Sequence, residues 1–260
     1  MTAAPRAHGV VITSVPKSGT HLLHSLLTAL PGLQSGPNLM QGIDPQVERE
    51  ERIPLYVENL KAAGPADVSI THFHHSPACV TALNELPHHR LFLLRDPKDF
   101  IVSYIDYVMD ERSGHFHRPI FAELPDDAAR IERMIRGHPG TAEVRYLPSV
   151  REYHRLFWGW LAAANTHVVR YEELCDEEGC ARVLPRLLAH LGLSVAEAAV
   201  ARAIEVGLQP QRSPTYRVGR CGRWRERFTP ALLALYRGET GDLDARLGYA
   251  AGTCSSGVEH

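Results

Sequence analysis

Residues 10–27 read VVITSVPKSGTHLLHSLL. The β-branched run Val10, Val11 and Ile12 reads as a buried strand, and the small residues from Ser14 to Gly19 make a compact turn holding one lysine, Lys17. From Thr20 onward Leu22, Leu23, Leu26, Leu27 and Leu30 share one helical face, while His21, His24, Ser25 and Thr28 share the other. A strand, a short loop with a lysine and an amphipathic helix build an anion cradle. The first backbone N–H groups of the helix lack partners within it and point at the loop, so phosphate is the natural guest.

Outward from this stretch, composition sets bounds. The 260 residues are 44% hydrophobic, with three Trp and nine Tyr, enough to fill a sizeable core. The reading is a single domain over 1–250 and a disordered tail over 251–260. A formal net charge of -2 excludes a bulk electrostatic nucleic-acid binder and confines anion binding to a local pocket. Five cysteines form no CxxC pair and are odd in number, which reads as reduced thiols in a cytosolic setting; no zinc spacing is present. The N-terminus has no apolar leader, and the apolar runs break long before 18 residues, so a soluble, cytoplasmic chain without membrane contact is expected.

Further strands are expected near residues 68, 90 and 167, interleaved with helices, which gives an α/β fold with a central parallel sheet flanked by helices. Residues 31–67, rich in Gly, Pro and then charge, read as a loop followed by a helical segment. Ser76-Pro77 opens a helix to about 86, and His72 lies just past the end of its strand, the edge at which open α/β sheets bind ligands. After the strand at 90–94, Arg95 leads into Asp96-Pro97-Lys98-Asp99, a capping-box-like start to a helix reaching about 110. On that helix Ser103 lies opposite Phe100, Ile101, Tyr104, Ile105 and Val108, with Asp99 and Asp106 on its own side. Residues 111–149 read as a lid or specificity region with one helix in DDAARIERMIRGH, and 150–164 as one amphipathic helix. Helices over 179–191 and 194–206 follow, the second capped by Ser194 with Glu197 at its third position. RVGRCGRWRERFT, residues 217–229, reads as an ordered basic loop whose five arginines favour anion capture, and Thr229-Pro230 opens a last helix.

PKSGT after the first strand, ITH after the second, RDPKDFIVSY after the third, VVRYEEL at the fourth and RVGRCGRW near the end resemble, in this order, the PAPS-dependent sulfotransferase family. These enzymes move a sulfuryl group from 3′-phosphoadenosine-5′-phosphosulfate (PAPS), leaving 3′-phosphoadenosine-5′-phosphate (PAP). The resemblance spans residues 10–229 and implies a P-loop NTPase-like sulfotransferase fold. It also implies roles: Lys17, Ser18, Gly19, Thr20 and His21 at the 5′-phosphosulfate, with Lys17 on the leaving oxygen; Arg95 and Ser103 on the 3′-phosphate; Tyr171 near the adenine; His72 as catalytic base. The segment Arg217, Val218, Gly219 and Arg220 matches the loop closing over the 3′-phosphate. The chain departs from the family where His21-Leu22 replaces Thr-Trp, Ile70 replaces a basic residue, Val218 replaces a lysine whose place Arg220 can take, and Arg223 replaces an aspartate. No aromatic stands near Leu208, where the family often stacks adenine.

The chemistry suits these groups. Sulfuryl transfer is in line and builds negative charge on the leaving phosphate, so positioning and cationic stabilisation dominate and no metal is expected. A histidine with a near-neutral reference pKa suits removal of the acceptor's proton. The expected partner is a small-molecule hydroxyl, alcohol or phenol, in an enzyme that is a monomer or homodimer, and the Ala/Arg-rich composition points to bacterial specialised metabolism. Two alternatives remain from the residues: a P-loop-like kinase, against which the absence of GxxxxGK[ST] stands, and a nucleotide-binding interaction module without catalysis, against which Lys17 and His72 stand.

Overall fold

The computed structural model describes residues 9–40, 52–209 and 220–249. The expected tail at 251–260 therefore lies outside the described residues, as do Arg217, Val218 and Gly219. By compactness the described chain forms two units, one of the residues up to 95 together with 159–209, the other of 96–158 with 220–249.

The first unit begins with β1 (Val10–Ser14), α1 (Thr20–Thr28), β2 (Gln34–Asn38), α2 (Ile53–Lys61), β3 (Asp67–Thr71), α3 (Pro77–Asn84) and β4 (His89–Leu94). The chain then enters the second unit through α4 (Pro97–Met109), α5 (Arg118–Ala122), α6 (Asp127–Arg136) and α7 (Val150–Arg155). It returns to the first with β5 (Thr166–Arg170), α8 (Glu177–His190) and α9 (Glu197–Gly207), and ends in the second with α10 (Trp224–Arg227), α11 (Pro230–Thr240) and α12 (Leu243–Leu247).

All five strands are parallel, in the order β2-β3-β1-β4-β5. β1 is central, with Val10 opposite both Val68 and His89, and Thr13 opposite both Thr71 and Phe92. Because side chains alternate across a strand, Val10, Ile12, Val68, Ile70, Leu91, Leu93 and Val169 share one face and pack with the leucines of α1 and with α8 and α9 in one core. Leu23, Leu26 and Leu27 are sealed from solvent, each worth roughly 1.5–3 kcal/mol of burial. Ser25, on the polar side of the wheel, is buried as well.

The four expected strands are present. β2 was not expected: its sequence, QSGPN, lacks the β-branched residues that mark a strand, and it forms as an edge beside β3. Ser76 and Thr229 cap α3 and α11 as expected, accepting from Cys79 N and Leu232 N. Two helices differ. α9 starts at Glu197 behind Ala196, leaving Ser194 outside it. The stretch 150–164 is not one helix: α7 stops at Arg155, and Trp158–Ala162 is a 3-10 turn. The cause is tertiary, since Trp160 Nε1 donates to the Phe73 carbonyl at 2.9 Å and a Cβ on Gly159 would come within 2.2 Å of His75 Nδ1.

The cysteines also depart from expectation. Cys79 and Cys180 are free and buried, but Cys175 and Cys221 are disulfide-bonded, which removes the support that reduced thiols lent to a cytosolic setting. Among the described residues no helix is long and apolar enough to cross a membrane.

Candidate active site

The parallel register brings the ends of β1 and β3 side by side, and the chain leaves β1 toward β2 on one side of the sheet but leaves β4 toward β5 on the other. The carboxyl ends of strands at such a reversal form the crevice in which open sheets bind ligands. The loop after β1 crosses this place with two unusual residues: Lys17 has φ +65° and Gly19, the N-cap of α1, has φ +92°. A lysine in the left-handed region is uncommon, and such conformations cluster at ligand clamps.

Three features of the loop fit a phosphate. No side chain caps α1, so its first N–H groups are left to the loop. Ser18 is wholly buried, yet its hydroxyl makes no hydrogen bond among the described residues. Gly19 has a ring against it: a Cβ there would lie 2.4 Å from Tyr171 Cδ2, so only glycine lets the loop pass this close to Tyr171. Tyr171 follows β5, is buried, and carries the Arg95 guanidinium over its ring at 4.2 Å. Arg95, directly after β4, also donates from Nη1 to the Lys17 carbonyl at 3.5 Å, the limit of such a contact. Lys17, Gly19, Tyr171 and Arg95 thus form one contiguous assembly in the first unit.

His72 stands beside it. Its Nδ1 lies 2.9 Å from the Ser14 carbonyl oxygen and 3.1 Å from the Ser14 hydroxyl, which in turn is 2.6 Å from the Thr20 hydroxyl. A carbonyl can only accept, so Nδ1 carries the proton and the neutral ring keeps its lone pair on Nε2. Burial pushes His72 down from 6.5 to about 4, partly offset by the bond to Ser14, with His21, Lys17 and His74 lowering it further. His72 is accordingly neutral at pH 7. Burial also lowers His21, helped by His24 and Lys17. Ser14 was not singled out in the sequence. Its signal is a hydroxyl that closes the strand where the strand meets the loop.

No family model and no curated protein matches the chain. Among solved structures it is similar to mouse sulfotransferase SULT7A1 complexed with PAP, at 20% identity over 93% of this chain and 88% of that one, with a TM-score of 0.64. This chain has the sulfotransferase fold. Also similar are a sulfotransferase domain from the curacin biosynthetic pathway (15% identity, 94% and 99% coverage, TM-score 0.49) and one from the Synechococcus PCC 7002 olefin synthase (16%, 92% and 98%, 0.47).

The second unit of this sulfotransferase fold holds the remaining predicted residues. Ser103 is half-buried on α4, opposite the buried Phe100, Ile101, Tyr104, Ile105 and Val108. Asp96 caps α4 as expected, accepting from Lys98 N at 2.8 Å. Asp99 is 1% exposed, and its carboxylate reaches the 222–224 backbone instead of capping its own helix. The expectation that all the late arginines capture anions needs correction. Arg223 and Arg227 both pair with Asp106, at 2.8 and 2.6 Å, and Arg227 also with Asp127. Arg225 lies over the Trp224 ring at 4.6 Å. Arg220 is exposed and pairs with Glu226 at 3.1 Å. Among the described residues no group of three or more His, Cys, Asp or Glu is arranged to hold a metal ion; in the HFHH stretch His75 instead packs edge-on to Trp160, 5.1 Å between centroids.

Proposed function

We propose that this chain is a sulfotransferase that moves the sulfuryl group of PAPS to a hydroxyl of a small-molecule acceptor and releases PAP. The observation that carries the reading is the pairing of the loop and His72 at one sheet edge: a loop built for phosphate beside a neutral histidine whose free lone pair is on Nε2. Bound at the loop, the phosphosulfate supplies the sulfuryl group and a phosphate leaving group.

The chain's own residues then divide the work. The first N–H groups of α1, Ser18 Oγ and Thr20 hold phosphate oxygens, with His21 at their border. Lys17 places its ammonium where negative charge grows on the leaving oxygen, and one preorganised donor of this kind is typically worth about 10²-fold or more in rate. His72 Nε2 takes the acceptor's proton while Nδ1–H stays on the Ser14 carbonyl, which steadies the imidazolium as it forms. On the resemblance, Arg95 and Ser103 take the 3′-phosphate with Arg217, Val218, Gly219 and Arg220, and Tyr171 supports Arg95. The two units together are read as one sulfotransferase domain, 1–250.

The test is twofold. Calorimetry with PAP and with ADP should show preference for PAP, and a preference for ADP would replace this reading with a kinase-like one. Radiolabelled sulfate transfer to a panel of alcohols and phenols should fall by about 10²-fold or more in Lys17→Ala and by about 10²- to 10⁴-fold in His72→Ala; activity surviving both changes would refute the roles of Lys17 and His72.

A further inference from the structure

Asp99 is a buried carboxylate that the proposed reaction does not use. It sits at the third position of α4, where a cap would be expected, but Asp96 already caps that helix. Asp99 Oδ2 instead accepts the Gly222 N–H at 2.6 Å and Oδ1 accepts the Trp224 N–H at 3.0 Å. Removing a carboxylate from water is costly unless its oxygens are engaged, and here each oxygen holds a backbone donor from the far end of the sequence. Gly222, at φ +75°, makes the turn that brings both N–H groups to one side chain.

Asp106 repeats the arrangement two turns along the same helix by pairing with Arg223 and Arg227. Ser103 lies between the two aspartates, four residues after Asp99 and three before Asp106, on the face they share. The segment that continues from the basic loop is thus bolted to α4 on both sides of Ser103, with Arg220 two residues ahead of the first bolt. We infer that Asp99 is a positioning residue: by accepting the Gly222 and Trp224 N–H groups it fixes residues 222–224 against α4 on the face that carries Ser103, and this placement supports binding of the 3′-phosphate at Ser103. The inference rests on the sulfotransferase reading above.

The experiment is calorimetry of the full chain with PAP and with AMP, which lacks the 3′-phosphate, on wild type, Asp99→Asn and Asp99→Glu. Asparagine has one acceptor oxygen, so one of the two N–H groups is left facing another donor. Asp99→Asn should raise the Kd for PAP about 10- to 100-fold while leaving that for AMP within about 3-fold, the size expected for a lost charge-assisted hydrogen bond. Asp99→Glu, which keeps the charge, should recover part of the loss. Equal weakening of both nucleotides, or no weakening of PAP, would overturn the positioning role while leaving the sulfotransferase reading intact. Wild type binding neither would overturn both. Amide hydrogen exchange on the unaltered protein gives an arm independent of how the variants fold: Gly222 and Trp224 should be protected without nucleotide, and exchange at unprotected rates would overturn the clamp.

Discussion

Gly19→Ala tests the assembly at the loop most directly. The new methyl meets two costs. The backbone stands at φ +92°, and holding an L-residue in the left-handed region costs roughly 1–2 kcal/mol. The Cβ would also lie 2.4 Å from Cδ2 and 2.8 Å from Cε2 of Tyr171. That ring cannot simply swing aside, being 7% exposed and lying under the Arg95 guanidinium, so the collision adds about 1–3 kcal/mol as overpacking. The sum, about 2–5 kcal/mol, is a large share of the roughly 5–15 kcal/mol that holds a domain together. Urea unfolding of Gly19→Ala, Tyr171→Ala and the double variant separates the terms. Without the ring only the backbone cost remains, so the alanine penalty should shrink to roughly 1–2 kcal/mol in the Tyr171→Ala background. The same penalty in both backgrounds would refute the claim that loop and ring are fitted to each other.

His72 and His154 are both pushed down to about 4, mainly by burial. Unfolded, each takes its proton near 6.5, so between these values the unfolded chain binds more protons; the stability they contribute is full above about pH 6.5 and is lost as pH falls through 4, up to ~3 kcal/mol each. Urea midpoints from pH 7.5 to 4.5 should fall, the fall should be smaller in His72→Asn, and NMR of the free protein should show the His72 ring neutral at pH 6; an imidazolium there would contradict the geometry. Arg227→Ala leaves Asp127 and one side of Asp106 unmatched in a half-buried setting and should cost about 1–3 kcal/mol in urea unfolding. An unchanged midpoint would mean these ion pairs are only solvated surface.

The sheet was legible because its strands are short apolar runs bounded by turn residues, and the loop because a lysine among small residues sits between a strand and an amphipathic helix. β2 was not legible, since an edge strand needs little side-chain burial and its backbone pairing leaves no mark in QSGPN. Nor was the fate of the late arginines. Five arginines among glycines look like an anion trap until the fold supplies Asp106 and Asp127, which lie 100 to 121 residues before the arginines they pair with. Asp99 misled for a related reason. An acid at the third position of a helix has the same local signature whether it caps its own backbone or receives another segment's, and only tertiary contact separates the two.

Tautomer separates His72 from His117, and exposure separates it from His154. His117, wholly buried, donates from Nε2 to the Tyr146 carbonyl at 3.0 Å, so its Nδ1 accepts from Tyr104 Oη at 2.6 Å, and the ring has no atom left for a substrate. His154 donates from Nδ1 to the Val150 carbonyl at 2.8 Å, which leaves its lone pair on Nε2 as in His72, but that nitrogen is sealed in the interior of a residue 1% exposed. A base must reach both the proton it removes and a substrate. His72 has the same fixed tautomer and the same lowered basicity as His154, yet the residue is only half-buried and stands at the end of β3 beside the loop after β1. In the proposed reaction a bound anionic nucleotide favours the imidazolium and raises the His72 value above about 4. In the proposed reaction the low basicity of His72 therefore keeps the ring neutral and able to accept a proton until the nucleotide is in place.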